Sequence, residues 1–101
     1  MEWLVIRTHS AGATAIAVER QRQIDKEGWT AEHDAHHNRG ELARAALCYL
    51  RYAISSRGVL SAPMDWPWNA KWWKPVDPIR DLEKAGALIA AEIDRRKRLI
   101  V

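Results

Sequence analysis

The chain has no phenylalanine and a single cysteine in its 101 residues. A lone Cys48 excludes an internal disulfide framework and fits a reducing compartment. Set in Ala45-Ala46-Leu47-Cys48-Tyr49, it reads as a small core residue rather than a nucleophile. No apolar run approaches the ~18–20 residues needed to span a bilayer. The opening Met1-Glu2-Trp3-Leu4-Val5-Ile6 carries an acid and no cleavage pattern, so it does not read as a signal peptide. The expectation is a cytoplasmic protein without a membrane partner. Also missing are a phosphate loop, a dinucleotide glycine fingerprint, a G-x-S-x-G elbow and a Cys-His dyad. With no nucleophile beside a base, the sequence favours binding over catalysis, and it implies no cofactor. The net charge of +3 is too small to imply a nucleic-acid groove. Most of the excess sits in Arg95-Arg96-Lys97-Arg98, a solvated helix end well placed against the helix dipole.

What the chain does have is tryptophan. There are six, and four of them fall in Trp66-Pro67-Trp68-Asn69-Ala70-Lys71-Trp72-Trp73. Indoles interleaved with lysine and proline supply flat apolar faces, N–H donors and cation partners on a stiffened backbone. That suits either a core plug roofing alanine-rich helices or a cradle for a flat, anionic ligand. The 48% hydrophobic and 29% charged composition is that of one globular domain over residues 1–101. A chain this short often completes its core or its site as a homo-oligomer, which is expected here.

The patterning predicts an all-α fold: three helices, an N-terminal extended arm over 1–9, and a long Trp/Pro-rich loop over 58–77. Helix one starts after the N-cap Ser10 and ends at Gly28, with Ala13, Ile16, Ala17 and Ile24 on its inner face. Thr30 caps a brief turn through Glu32-His33-Asp34. Asn38-Arg39-Gly40-Glu41 has the spacing of a capping box before helix two. The inner face of that helix reads Leu42, Ala45, Ala46, Tyr49, Leu50 and Ala53. Asp77-Pro78 opens helix three, which would face inward with Leu82, Ala85, Gly86, Ile89 and Ile93. A loop as long as 58–77 is more often functional than decorative.

Three polar constellations could carry chemistry. His33 and His37 stand four apart, a spacing that places both on one helix face and is known from zinc sites. A third ligand is not fixed by the sequence. Arg20 and Gln23 lie beside the apolar stripe of helix one and could turn inward to meet an anion. Glu19, Glu41, Glu83 and Glu92 could form a magnesium-holding carboxylate set, but the tight E-x-x-E pairs of all-α nucleotide pyrophosphatases are absent. A His-Asp metal phosphohydrolase would need further histidine and aspartate over a longer chain.

The run Glu19-Arg20-Gln21-Arg22-Gln23, then Glu27-Gly28-Trp29-Thr30, Glu32-His33-Asp34, His37 and Gly40-Glu41-Leu42 resembles a group of short phage and prophage proteins. Trp66-Pro67-Trp68, Trp72-Trp73-Lys74-Pro75 and Asp81-Leu82-Glu83-Lys84-Ala85-Gly86-Ala87-Leu88-Ile89 are similar to the same group. The likeness covers residues 18 to 95. It departs at Ala35, where the group carries a second aspartate. The resemblance implies a setting, the cytoplasm of an infected or lysogenic bacterial host, rather than an activity. Gly28, Trp29, Thr30, His37 and Leu42 are also similar to the RyR domain, whose bacterial relatives have been linked to nucleotide-type signals.

These readings converge on a small phage-derived binding protein holding a nucleotide-type ligand of the adenine or ADP-ribose class, with anti-defence sequestration of a host immune signal as one use. Trp29, Trp68, Trp72 and Trp73 would stack on or wall in the base. Arg20, Lys71 and Lys74 would meet phosphates, and Gln23 could meet the same anion. His33, His37 and Glu41 would reach ribose hydroxyls. Two alternatives are an adaptor or inhibitor that binds a host protein through the Trp-rich segment, and a metal-dependent nucleotide hydrolase centred on His33, Asp34 and His37.

Overall fold

The computed structural model describes residues 9–55 and 61–100. Among the described residues there are four α-helices and no strand: α1 (Ala11–Glu27), α2 (Ala31–Ala35), α3 (Glu41–Ser55) and α4 (Pro78–Arg98), with a 3-10 turn at Ala70–Trp72. The all-α class holds, with one short helix beyond the three that spacing predicts. Thr30 makes the difference, because its side chain accepts from the His33 N–H at 3.3 Å and winds the expected bend into α2. Residues 1–8 of the predicted arm and 58–60 of the predicted loop lie outside the described residues.

The helix ends follow the local chemistry. Ser10 accepts from the Ala13 N–H at 3.1 Å, and Asp77 accepts from that of Arg80 at 2.8 Å ahead of Pro78. Gly28 takes φ +73°, the left-handed conformation that costs other residues about 1 kcal/mol or more, and turns the chain from α1 into the site. One cap differs from expectation. Gly40, at φ +82°, supplies the carbonyl that accepts the Arg44 N–H, so α3 starts at Glu41 and Asn38 is not its cap. Glu41 instead reaches back to accept the Arg39 N–H at 2.6 Å.

The core lies between α3 and α4. Leu42, Ala45, Ala46 and Tyr49 meet Ala85, Leu88 and Ala91, and Trp66 and Trp73 close the cluster. Alanines on both sides let the helix axes approach closely. Tyr49 faces the Lys84 ammonium at 5.5 Å, and Glu41 acts electrostatically on Arg95, so the two helices run antiparallel. α1 packs on α4 and not on α3.

Three predicted faces are corrected. On α1, Ala13 and Ala17 are exposed and Ile16 and Ile24 only half-buried, while the buried residues are Glu19 and Gln23. That helix docks through charge: Glu19 binds Arg80 at 2.6 Å and Arg22 at 2.9 Å. Burial pushes the Glu19 carboxyl up, but hydrogen bonds from the two arginines outweigh it and hold the group below its ordinary range. On α3, Leu50 is exposed. On α4, Ala85 is buried as expected, but Leu82, Ile89 and Ile93 stay about half exposed. The inward stripe of α4 instead carries Asp81, Lys84, Leu88, Glu92 and Arg95. Its polar members are held by partners: Asp81 accepts the Val76 N–H at 2.9 Å, and Lys84 donates to the Lys74 carbonyl. Hydrophobic spacing marks one stripe of this helix and hydrogen bonding anchors the other.

Glu92 gives the fold a pH signature. Hydrogen bonds from Arg95 and then Arg96 hold its carboxyl at about 2 against the opposing effect of burial. Because the folded value lies below the ordinary 4.5, the stabilisation is fully present above pH 4.5 and fades as pH falls toward 2. Acid titration followed by circular dichroism is expected to show Glu92→Gln less stable than the parent at pH 7, with the gap closing toward pH 2. A constant gap across that window contradicts this assignment.

Candidate functional site

The Trp-rich connector has a fixed shape because polar anchors tie it down. Tyr49 Oη accepts the Lys74 N–H at 3.1 Å, and burial pushes that phenol up to about 12, so it stays protonated. The Trp66 indole donates to the Asn69 carbonyl at 3.1 Å. The Asn69 side chain accepts the Lys71 N–H at 2.9 Å and starts the 3-10 turn. Upstream, Asp65 binds Arg51 at 2.7 Å and accepts from the Cys48 thiol at 3.5 Å. Burial and the Asp65 carboxylate push that thiol up to about 11, which makes it unreactive and matches its reading as a core residue.

So anchored, the connector folds over the Gly28–Glu41 turn. Trp68 lies 5.9 Å from Trp29 and 5.2 Å from His37, ring centre to ring centre. His33 and His37 meet edge to face at 4.7 Å, and Trp29 lies parallel to His33 at 6.3 Å. Together these rings border a hollow of about 410 Å³, completed by Trp72, Leu42, Glu27 and Asn69. That volume is within the range of small-molecule sites. Two polar atoms of its wall, Trp68 Nε1 and His37 Nε2, are buried without a protein hydrogen-bond partner. Four other buried polar atoms also lack a protein partner, Arg20 Nε, Gln23 Oε1, Trp73 Nε1 and Asp81 Oδ2, and of the six only Trp68 Nε1 and His37 Nε2 belong to residues lining the hollow.

The lower wall is held by a charge pair. Arg20 donates to Asp34 at 2.7 Å and to the Trp29 carbonyl at 3.2 Å, joining α1, the turn and α2 through one guanidinium. Asp34 is fully buried, and His33 Nδ1 lies 3.4 Å from its other oxygen. His37 is oriented by Glu41 at 3.6 Å. Burial pushes the Glu41 carboxyl up, but backbone N–H groups and His37 more than offset this and leave it low. Lys71 and Lys74 stand over the Trp72 ring at 5.5 and 5.4 Å, and neither lines the hollow itself.

Five of the eleven candidate residues therefore line the hollow: Trp29, His33, His37, Trp68 and Trp72. Lys71 and Lys74 flank its Trp72 wall. Arg20 and Glu41 do not line it, and their bonds position the rings that do. Gln23 is buried beside Glu19 at 3.4 Å, and Trp73 belongs to the core, stacked on Tyr49 at 4.7 Å. Sequence reasoning missed Glu27, Leu42 and Asn69 as lining. Glu27 sits immediately before the Gly28 turn and Asn69 before a helical turn, which were the available signals. Each carboxylate of the suggested magnesium set lies against a basic side chain: Glu19 and Glu83 bind Arg80, Glu92 binds Arg95 and Arg96, and Glu41 meets His37. Among the described residues no group of three His, Cys, Asp or Glu side chains could hold a metal ion. Among the described residues, too, no helix is long and apolar enough to cross a membrane.

No family model matches the chain, and neither a curated protein nor a solved structure shows significant similarity to it.

Proposed function

We propose that the protein binds a nucleotide-type ligand of the adenine or ADP-ribose class, the base entering the Trp29–Trp68–Trp72 hollow and the phosphates lying outside it. The observation that carries this reading is a 410 Å³ aromatic cavity, two of whose lining residues hold an unpartnered nitrogen, with two ammonium groups over its Trp72 ring. Indole faces stack on any base, at ~1–3 kcal/mol per contact. His37 Nε2 and Trp68 Nε1 meet ring nitrogens or ribose oxygens, and the Glu27 carboxylate accepts from an exocyclic amine or a ribose hydroxyl. Lys71 and Lys74 neutralise phosphate. Arg20, committed to Asp34, takes no part in binding anions. The concave form of the indole surface, with Trp66 and Trp73 turned into the core, favours a small ligand over a flat host-protein surface. In the phage setting that the sequence resemblance implies, such a pocket would sequester a host immune signal.

Calorimetry and tryptophan fluorescence against adenosine, AMP, ADP, ADP-ribose and linear and cyclic dinucleotides test the proposal. Two indole contacts with charged hydrogen bonds support micromolar or tighter binding. Phosphorylated ligands are expected to bind more tightly than adenosine, with a salt dependence that Lys71→Ala and Lys74→Ala weaken. A folded protein that ignores the whole panel overturns the assignment.

A further inference from the structure

Away from the pocket, α3 and α4 share an apolar face that stays partly exposed, with Ile16 of α1 resting on it at Gly86. On α4, Leu82, Ile89 and Ile93 follow the alternating three- and four-residue step through Gly86, and on α3 Leu47, Leu50 and Ile54 do the same. These six side chains are between 37% and 75% exposed. At 100° per residue each stripe lies roughly a third of a turn from the buried side of its own helix, in the same rotational sense. Because the helices are antiparallel, equal rotation brings both stripes to one side of the pair, where they form a single surface.

We infer that this face is the interface between two copies of this chain. A three-four step is the spacing with which a helix meets another helix. The chain itself shows what the seam accepts: at Gly86, the one position in it without a side chain, Ile16 of α1 inserts, so closely that a Cβ there would come within 2.5 Å of its Cδ1. Every other position presents an aliphatic side chain that keeps a third or more of its surface exposed. A second copy offers matching rows at matching spacing, and a two-fold axis lying in the plane of the face, across the helices, sets each stripe against its equivalent. The six residues leave roughly 500 Å² exposed, toward the upper end for a typical monomer and over half of the ~800 Å² each partner gives to a standard interface. This inference rests on the helical face and is independent of the pocket.

Sedimentation velocity and light scattering on the full chain at micromolar concentration test it, with circular dichroism as the check on folding. The parent is expected at the mass of two chains. Leu50→Glu and Ile89→Glu, at positions already solvent-accessible, are each expected to give a folded monomer. Val18→Glu, at an exposed position on the opposite side of α1, should leave the dimer intact. A parent that is monomeric throughout overturns the inference. So does any mass other than two chains, or a dimer that survives both substitutions.

Discussion

Arg20→Ala is expected to unfold the site rather than merely weaken it. Its guanidinium is the cationic partner of Asp34, whose side chain is fully buried, at 2.7 Å. Removing it leaves a carboxylate out of water with only the half-exposed His33 nearby at 3.4 Å, and it strips the Trp29 carbonyl of its donor. Breaking a buried pair from one side typically costs about 3–5 kcal/mol. Against the ~5–15 kcal/mol that hold a domain together, that is a large fraction. Denaturant midpoints should fall sharply for Arg20→Ala and for Asp34→Ala alike. The double substitution Arg20→Met, Asp34→Leu should recover much of the loss, because an apolar pair needs no desolvated charge. An unchanged midpoint in Arg20→Ala, with ligand binding lost, would falsify the structural role and return this arginine to the pocket.

That arginine also shows where sequence reading reached its limit. Helix ends were legible because they depend on one or two residues: Ser10, Gly28 and Asp77-Pro78 all act as local chemistry dictates. For the Trp connector the residues allowed a core plug or a cradle, and the structure divides the indoles between them: Trp68 meets Trp29 and His37, while Trp66 and Trp73 join the core. What spacing could not supply is the partner of a buried charge. Arg20 and Asp34 are fourteen residues apart on different helices, and nothing in either neighbourhood marks the pair. The same holds for Glu19 and Arg80, sixty-one residues apart, whose ion pair docks α1 on α4 beside the Ile16–Gly86 contact. On α4 the more hydrophobic stripe is the one left outside, so a reading by hydrophobicity chooses the wrong side. The polar stripe faces inward because each of its groups finds a partner there: Asp81 the Val76 amide, Lys84 the Lys74 carbonyl, Glu92 its two arginines.

Adjacent tryptophans separate core from site most directly. Trp73 is 7% exposed, stacked on Tyr49 at 4.7 Å and edge-on to Trp66 at 5.0 Å and Tyr52 at 5.7 Å. Truncating such a residue removes its burial and leaves a cavity, so Trp73→Ala should destabilise the fold by about 3–5 kcal/mol. Trp72 is 38% exposed, and its contacts are the hollow on one side and the two lysines over its ring. Trp72→Ala should change stability by no more than about 0.5 kcal/mol. Nucleotide affinity should nevertheless fall on the order of 10- to 100-fold, since a lost base–indole stack removes ~1–3 kcal/mol. Thermal melts and calorimetry on the same two proteins read both quantities. If Trp72→Ala binds as the parent does, the base does not lie against this indole. If it melts as Trp73→Ala does, the two rings share one structural role and the hollow is part of the core. The sequence places these indoles side by side, but the extended backbone at Trp73 (φ −78°, ψ 108°), just past the 3-10 turn, sends them to opposite tasks.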